Sequence, residues 1–225
     1  MLNIAIDGPS GSGKSSLARA VAKKLQIIYV DTGALYRTVG LYMKNHEIDI
    51  SHTECVINAL AKVNLEMKYE NGEQHIYLDG QDVGDTIRTP EIAMYASKVS
   101  AIPEVRAFLL GTQREIAQKN AVIMDGRDIG TVILPKANVK IFLTASNEAR
   151  ARRRVAELLA KGIKTTYEDI LRDMALRDEN DRTRTVAPAI PADDAVFLDN
   201  SELTAEETVD AVLRIINEKT SEKSL

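Results

Sequence analysis

The stretch Gly8-Pro9-Ser10-Gly11-Ser12-Gly13-Lys14-Ser15 follows directly on the apolar run Leu2 to Ile6. A strand that feeds such a loop and leaves it as a helix reads as a phosphate cradle. In the spacing G-x-x-x-x-G-K-S, small residues let backbone N–H groups wrap a polyphosphate, and the positive end of the following helix points at the same charge. Lys14 reaches the outer phosphates, and the Ser15 hydroxyl ligates magnesium. The cradle is expected to run from Gly8 through Ser16. A plain Gly/Ser turn at a helix start is the competing reading, and the full pattern in strand-then-helix context weighs against it. The chain is therefore expected to hold a nucleoside triphosphate.

Five short apolar runs read as buried parallel strands: Asn3 to Ile6, Ile27 to Val30, Ala121 to Met124, Val139 to Leu143 and Ala195 to Leu198. They exit into Asp7-Gly8, Asp31-Thr32-Gly33, Asp125-Gly126-Arg127-Asp128, Thr144-Ala145-Ser146 and Asp199-Asn200. In an open parallel sheet the ligand crevice lies outside the carboxyl ends of the strands, so these exits are expected to share one rim. The fold class is α/β, a five-stranded parallel sheet with helices on both faces.

The stretch from about Gly33 to Asn120 is far longer than one crossover helix needs. Leu65, Met67 and Tyr69 alternate before Asn71-Gly72, and Ile76 and Leu78 precede Asp79-Gly80. Asn-Gly and Asp-Gly favour hairpin turns, so Asn64 to Gly84 is expected to form a small antiparallel sheet. Helices are expected over Leu35 to Asn45, over Thr53 to Lys62 behind the box Ser51-x-x-Glu54, and over Glu91 to Ala117 with a break near Pro103. Beyond the sheet come a helix over Ser146 to Lys161, a hinge at Gly162, and a second helix over Tyr167 to Arg177. An arginine-rich loop then leads to Ala187-Pro188, and Ala205 to Glu218 forms a closing helix capped by Thr204-x-x-Glu207. Thr220 to Leu225 is expected to fray.

At 225 residues and 44% apolar, the chain suits one compact unit with an inserted subdomain. A net charge of -4 argues against general nucleic-acid binding. Cys55 is the single cysteine, which excludes an intramolecular disulfide and a multi-cysteine metal site and points to a reducing compartment; its apolar surroundings suggest packing. The chain opens on a strand, with no leader and no membrane-length apolar run, so a soluble, cytoplasmic protein is expected.

A phosphate loop alone does not separate a switch GTPase, a motor ATPase and a small-molecule kinase. No N-K-x-D sequence reads guanine. Val122-Ile123-Met124-Asp125 resembles the strand and aspartate that support magnesium in ATPases, but Arg127 and Asp128 stand where an acidic residue would orient a hydrolytic water. Arginines are spread along the chain at Arg37, Arg88, Arg106, Arg127, Arg150, Arg152, Arg153, Arg154, Arg177, Arg182 and Arg184. Such guanidinium groups suit the gathering of two phosphorylated substrates, which brings about six negative charges together. Neighbours in a helix point about 100° apart, so one or two of the arginines from 150 to 154 can face a ligand and the rest are expected to be solvated.

Together, G-P-S-G-S-G-K-S, Asp31-Thr32-Gly33-Ala34-Leu35-Tyr36-Arg37, Asp125-Gly126-Arg127-Asp128-Ile129-Gly130-Thr131, and Arg177-Asp178-x-x-Asp181-x-x-Arg184 leading to Ala187-Pro188 resemble the bacterial cytidylate kinases, in order and over nearly the whole chain. The phosphate loop is shared widely, whereas D-T-G-A-x-Y-R with G-R-D-x-G-T and the hairpin insert is distinctive. The resemblance implies one domain with a core (about 1–32, 118–145 and 186–225), a monophosphate-binding insert (about 33–117) and an arginine-rich lid (about 146–185). It implies transfer of the γ-phosphoryl group of ATP, with Mg2+, to CMP or dCMP in pyrimidine nucleotide metabolism; a monomer suits a cleft that must open and close, and neither nucleic acid nor membrane is expected as a partner.

By the same resemblance, Lys14, Arg127, Arg153, Arg177 and Arg184 are catalytic. Asp31, Thr32, Tyr36 and Arg37 belong to the CMP site; Arg37, Arg127 and Arg184 hold the acceptor phosphate, and Asp181 binds the sugar hydroxyls. Ser97, Arg106 and Asp128 read cytosine: its amino group donates to Asp128, while its ring nitrogen and carbonyl suit Arg106 and Ser97. Uracil would turn a carbonyl toward Asp128, and such sites discriminate by roughly 10⁴-fold at best. Plainer readings make Ser97 a surface serine and Asp128 an N-cap. The acceptor oxygen is already anionic, so no base is sought among His46, His52 or His75, which lie in the insert. A kinase for shikimate or dephospho-coenzyme A would instead need a carboxylate base, for which Asp31 could serve. A nucleotide-driven switch is the remaining alternative, marked by partner-dependent hydrolysis without acceptor phosphorylation.

Overall fold

The computed structural model describes residues 1–70, 73–160 and 162–221. The order is β1 (Asn3–Asp7), α1 (Lys14–Leu25), β2 (Ile28–Asp31), α2 (Thr32–Asn45), α3 (Thr53–Leu60), β3 (Leu65–Glu70), β4 (Glu73–Leu78), β5 (Gln81–Asp82), α4 (Pro90–Val99) and α5 (Pro103–Lys119). Then come β6 (Val122–Gly126), a π-helical turn (Ile129–Ile133), β7 (Val139–Thr144), α6 (Asn147–Ala160), α7 (Tyr167–Thr183), β8 (Val196–Asp199) and α8 (Ala205–Ser221). The parallel sheet has the order β2-β6-β1-β7-β8, and a second, antiparallel sheet has the order β3-β4-β5. The chain divides into two compact units, Ile28–Ala121 with Met1, and Leu2–Ile27 with the chain from Val122 onward.

In the second unit, β1 lies between β6 and β7. Ile4, Ala5, Ile6, Ile123, Met124, Val139, Ile141 and Leu143 are buried, which is why these strands read as unbroken apolar runs. At the edge, β8 alternates, with Phe197 64% exposed. Register sets the ends: Asp7 is level with Gly126 and with Phe142, and Thr144 with Asp199. The loop after β1 and the segment carrying Arg127 therefore leave the sheet side by side. Helix α1 buries Leu17, Ala18, Val21 and Ala22, and α8 buries Val209, Val212 and Ile216. The α8 capping box is reciprocal: Glu207 N–H donates to Thr204 Oγ1 at 3.2 Å and Thr204 N–H to Glu207 Oε2 at 2.8 Å.

The unit Ile28–Ala121 packs α2 with α4 and the small sheet around Leu35, Val39, Met43, Ile76, Ile87, Ile92, Val99 and Leu109. Leu65 pairs with Leu78 and Met67 with Ile76. Asp79 (φ 52°) and Gly80 (φ 80°) make the left-handed turn expected between β4 and β5. The Asn71-Gly72 turn lies outside the described residues. The break at Pro103 stands, with α5 opening on that proline.

Several local expectations are corrected. Ser51 does not cap α3: its N–H and hydroxyl both donate to Asp49 Oδ1, at 2.9 and 2.6 Å, and His52 occupies the N-cap. The nearby aspartate competes locally for the serine. Cys55 is exposed rather than packed. Helix α7 runs past Arg177 to Thr183, because Ile170, Met174 and Asp181 keep one face buried. Gly162 ends α6 in the left-handed conformation (φ 74°); Lys161 lies outside the described residues. Thr220 and Ser221 are helical rather than frayed, with Thr220 Oγ1 donating to Ile216 O at 2.8 Å, and residues 222–225 lie outside the described residues.

At the end of β1, the buried Asp7 accepts from Ile129 N–H at 2.8 Å and Gly130 N–H at 2.7 Å. It thus caps the π-helical turn from a distant strand, and Asp128, at the N-cap position, makes no cap bond. Burial pushes the Asp7 carboxyl up to about 6 despite those two donors. A raised carboxyl favours the folded state while protonated, and that contribution is lost as pH rises from about 4 through about 6. In urea melts, the stability of the wild type relative to Asp7→Asn should therefore fall by up to ~3 kcal/mol between pH 4 and pH 7. Parallel pH profiles for the two proteins would contradict this.

Candidate active site

The phosphate loop is shaped by backbone that glycine permits. Gly8 lies at φ 146°, and a Cβ there would fall 2.0 Å from Leu143 O. Gly11 and Gly13 are also left-handed, at φ 73° and 90°. Lys14, the first residue of α1, is buried and turns its ammonium back along the loop, donating to Pro9 O at 2.6 Å and to Ser12 Oγ at 3.3 Å. Burial, together with the nearby Arg127 and Arg177 guanidinium groups, lowers its pKa well below the usual lysine range, while Asp125 and Asp7 act in the opposite direction. Ser15 Oγ donates to Asp125 Oδ2 at 2.8 Å, which brings the hydroxyl after the lysine to the carboxylate of β6.

In the same unit Arg127, Asp181, Arg184 and Asp128 form a chain of alternating charge. Arg127 Nε donates to Asp181 Oδ2 at 2.8 Å; Arg184 stands 3.6 Å from both Asp181 Oδ1 and Asp128 Oδ1. The side chains are 18% exposed or less. Arg184 Nε also donates to Ala187 O at 2.6 Å, where Ala187 has φ 49°. A cleft beside this cluster is lined by Pro9, Arg127, Thr144, Asp178, Asp181 and Ala189. Phosphate loop and arginine cluster thus face common space within one unit.

In the unit Ile28–Ala121, Asp31 ends β2 and caps α2, accepting from Ala34 N–H at 2.9 Å, while its other oxygen accepts from Arg37 Nη2 at 2.8 Å. Arg37 Nε is buried, and no described residue accepts from it. Gln74 brackets Asp31, accepting from its N–H at 2.7 Å and donating to its carbonyl at 3.3 Å. Thr32 is buried beside it. Arg106 is 8% exposed; its guanidinium lies 5.5 Å from the centre of the Tyr36 ring and donates to Ser100 O at 3.1 Å. Ser100 Oγ in turn donates to Ser97 O at 2.8 Å, which ties Ser97 and Arg106 into one chain of contacts.

Other arginines are placed differently. Arg153 donates from Nη1 to Asn200 Oδ1 at 3.1 Å and from Nη2 to Asn200 O at 2.6 Å, and the Asn200 amide donates to Ser12 O at 3.1 Å. Arg88 is exposed and Arg182 pairs with Glu179 on the surface. The three histidines bond locally, His46 to Tyr42 O, His52 to Asp49 and His75 to Asp82. Sequence reasoning missed Gln74, named Asp7 and Asn200 only as strand exits on the shared rim, and counted Arg150 in a run of which one or two face a ligand and the rest are solvated. Arg150 is 4% exposed. The signal was present in Ala149 and Ala151, which flank it and are buried. Distant partners such as Gln74 leave no local pattern.

The sequence model of the cytidylate kinase family matches residues 4–218. A cytidylate kinase of Fervidobacterium nodosum is 49% identical over 96% of each chain, and one of Caldicellulosiruptor saccharolyticus 47% identical over 95% of each. Among solved structures, an uncharacterized protein from Eubacterium ventriosum has a TM-score of 0.54 at 12% identity, covering 96% of this chain and 99% of its own. A gluconokinase from Sinorhizobium meliloti has a TM-score of 0.51 at 15% identity, covering 99% and 95%. Those two likenesses speak to the fold alone. With the family match running across both units, this chain belongs to the cytidylate kinase family.

Proposed function

We propose that the protein transfers the γ-phosphoryl group of ATP to a phosphate oxygen of CMP or dCMP, giving ADP and CDP or dCDP. The observation that carries this reading is the buried Lys14 ammonium, held on Pro9 O, with Pro9 and the Arg127 guanidinium lining one cleft. Such a concentration of cations costs free energy in the protein alone and is offset when a polyphosphate arrives. Arg127 belongs at once to this group and to the Arg127–Asp181–Arg184–Asp128 cluster, so donor and acceptor charge meet at one residue.

In the proposed reaction Lys14 and the loop from Gly8 to Ser16 hold the donor phosphates. Arg37, Arg127 and Arg184 hold the acceptor phosphate, and the buried Arg37 Nε suits such an anion. Asp181 takes the sugar hydroxyls, and Ser97, Arg106 and Asp128 take cytosine. The anionic acceptor oxygen attacks the γ-phosphorus in line; the bond from that phosphorus to the β,γ-bridging oxygen breaks, and the oxygen leaves with the electron pair on ADP. Lys14, Arg127, Arg153 and Arg177 neutralise the group in transit as the lid shuts out water.

Among the described residues no cluster of three or more His, Cys, Asp or Glu could hold a metal by itself. Magnesium arriving with ATP needs few protein ligands, and the oxygen pair Ser15 and Asp125 fits it. When bound there, the ion would neutralise part of the triphosphate charge. We further propose a monomer acting in the cytoplasm in pyrimidine nucleotide metabolism. No described helix is long and apolar enough to cross a membrane.

A kinase for a neutral hydroxyl is less well supported, because both oxygens of Asp31 are engaged, by Ala34 N–H and by Arg37. ADP release from MgATP should depend on CMP or dCMP and stay near the no-acceptor level with UMP, AMP, GMP and shikimate. Turnover with shikimate alone, or hydrolysis indifferent to every acceptor, would overturn the reading. Asp128→Asn presents an amide that can donate to uracil, so the ratio of kcat/KM for CMP over UMP should drop by roughly 10²-fold. An unchanged ratio would remove Asp128 from base recognition.

A further inference from the structure

Both backbone polar groups of Ser10 are taken by one ion pair, of the buried Arg150 and the half-buried Asp178. Ser10 N–H donates to Asp178 Oδ1 at 2.9 Å, and Ser10 O accepts from Arg150 Nη1 at 2.6 Å. The same Nη1 lies 2.5 Å from Asp178 Oδ2, which closes the ring. Arg150 is itself fixed: its Nε donates to Ala145 O at 3.2 Å and its Nη2 to Asn147 Oδ1. The next loop residue is pressed by the same helices. A Cβ on Gly11 would fall 2.7 Å from Met174 Cε on α7 and 3.5 Å from Arg150 Cβ on α6.

Two helices thus grip the loop at Ser10 and Gly11, on residues whose backbone must hold a set direction for the loop to face phosphate. Peptide planes are rigid, so fixing the N–H and the C=O of Ser10 also fixes how the adjoining peptide groups are turned. Surface ion pairs contribute little, but the Arg150 side chain is only 5% exposed and that of Asp178 20%, so losing the carboxylate leaves a buried guanidinium uncompensated. Asp178 follows Arg177, so the residue that orients the loop and one that acts on the Lys14 charge are consecutive in α7.

We propose that Arg150 and Asp178 are positioning residues for the triphosphate, setting the Ser10 peptide so that the phosphate loop is formed before ATP arrives. This rests on ATP as the donor. Neither side chain is assigned to the acceptor, so its effect should fall on ATP and spare CMP.

The test compares Arg150→Ala, Asp178→Ala, the double variant and the size-preserving Asp178→Asn with the wild type. KM for ATP and for CMP is measured for each, with thermal melts and direct titration of a fluorescent ATP analogue. Each alanine variant should raise KM for ATP by roughly 10-fold while KM for CMP stays within about 2-fold, and the double should be no worse than the worse single. Asp178→Asn keeps an acceptor for Ser10 but loses the ionic partner, so a rise of about 3-fold, again confined to ATP, is expected. Unchanged KM for ATP in folded variants, or equal rises for both substrates, overturns the proposal. If the alanine variants do not fold, Asp178→Asn decides by the same criterion. A wild type that binds the analogue yet phosphorylates no CMP would sink the functional reading alone, and the titration would still test the clamp.

Discussion

A desolvated ammonium held among guanidinium groups is the constraint around which the phosphate-loop unit is built. Lys14 loses its water on burial and gains like-charged neighbours in Arg127 and Arg177. In compensation it has the Pro9 carbonyl at 2.6 Å and the field of Asp125 and Asp7. That balance is local and requires a loop whose carbonyl can turn inward, which is what Gly8, Gly11 and Gly13 allow. It also requires buried carboxylates at the ends of neighbouring strands. β1 and β6 supply them because they lie in parallel register, with Asp7 level with Gly126.

The same register explains how the acceptor cluster is held. Asp7 leaves β1 and receives the N–H groups of Ile129 and Gly130, so the segment bearing Arg127 and Asp128 is anchored to the strand that launches the phosphate loop. On its other side, Asp181 from α7 engages Arg127, and Arg184 stands next to Asp128. Alternation of sign lets four ionisable side chains share a small volume without a net excess of either charge. Each arginine then has a carboxylate that an incoming phosphate can replace as partner, which lowers the reorganisation needed on binding.

The sheet was legible because its central strands are buried on both faces and so read as continuous apolar runs; strand ends shifted by a residue or two, as at Asp7 and Gly126. The glycines of the loop were legible because their positive φ follows from local backbone geometry. What escaped was tertiary. The Ser51 box has the right spacing, yet Asp49 captures the serine. Arg150 looks like part of a charged run, and its burial depends on Asp178, 28 residues later. Asp128 has the position of an N-cap, but a carboxylate 122 residues away from Ile129 does the capping. Polar side chains that bond across the fold carry no periodicity, so pattern alone assigns them to the surface.

The central claim is that the arginine cluster serves an acceptor already carrying negative charge and therefore needs no general base. It is tested most directly by incubating the protein with MgATP and either CMP or cytidine and following products by phosphorus NMR. The account predicts a new diphosphate resonance for CDP with CMP and no phosphorylation of cytidine. Conversion of cytidine to CMP at a comparable rate would mean that a neutral hydroxyl is activated in this site, and would contradict it.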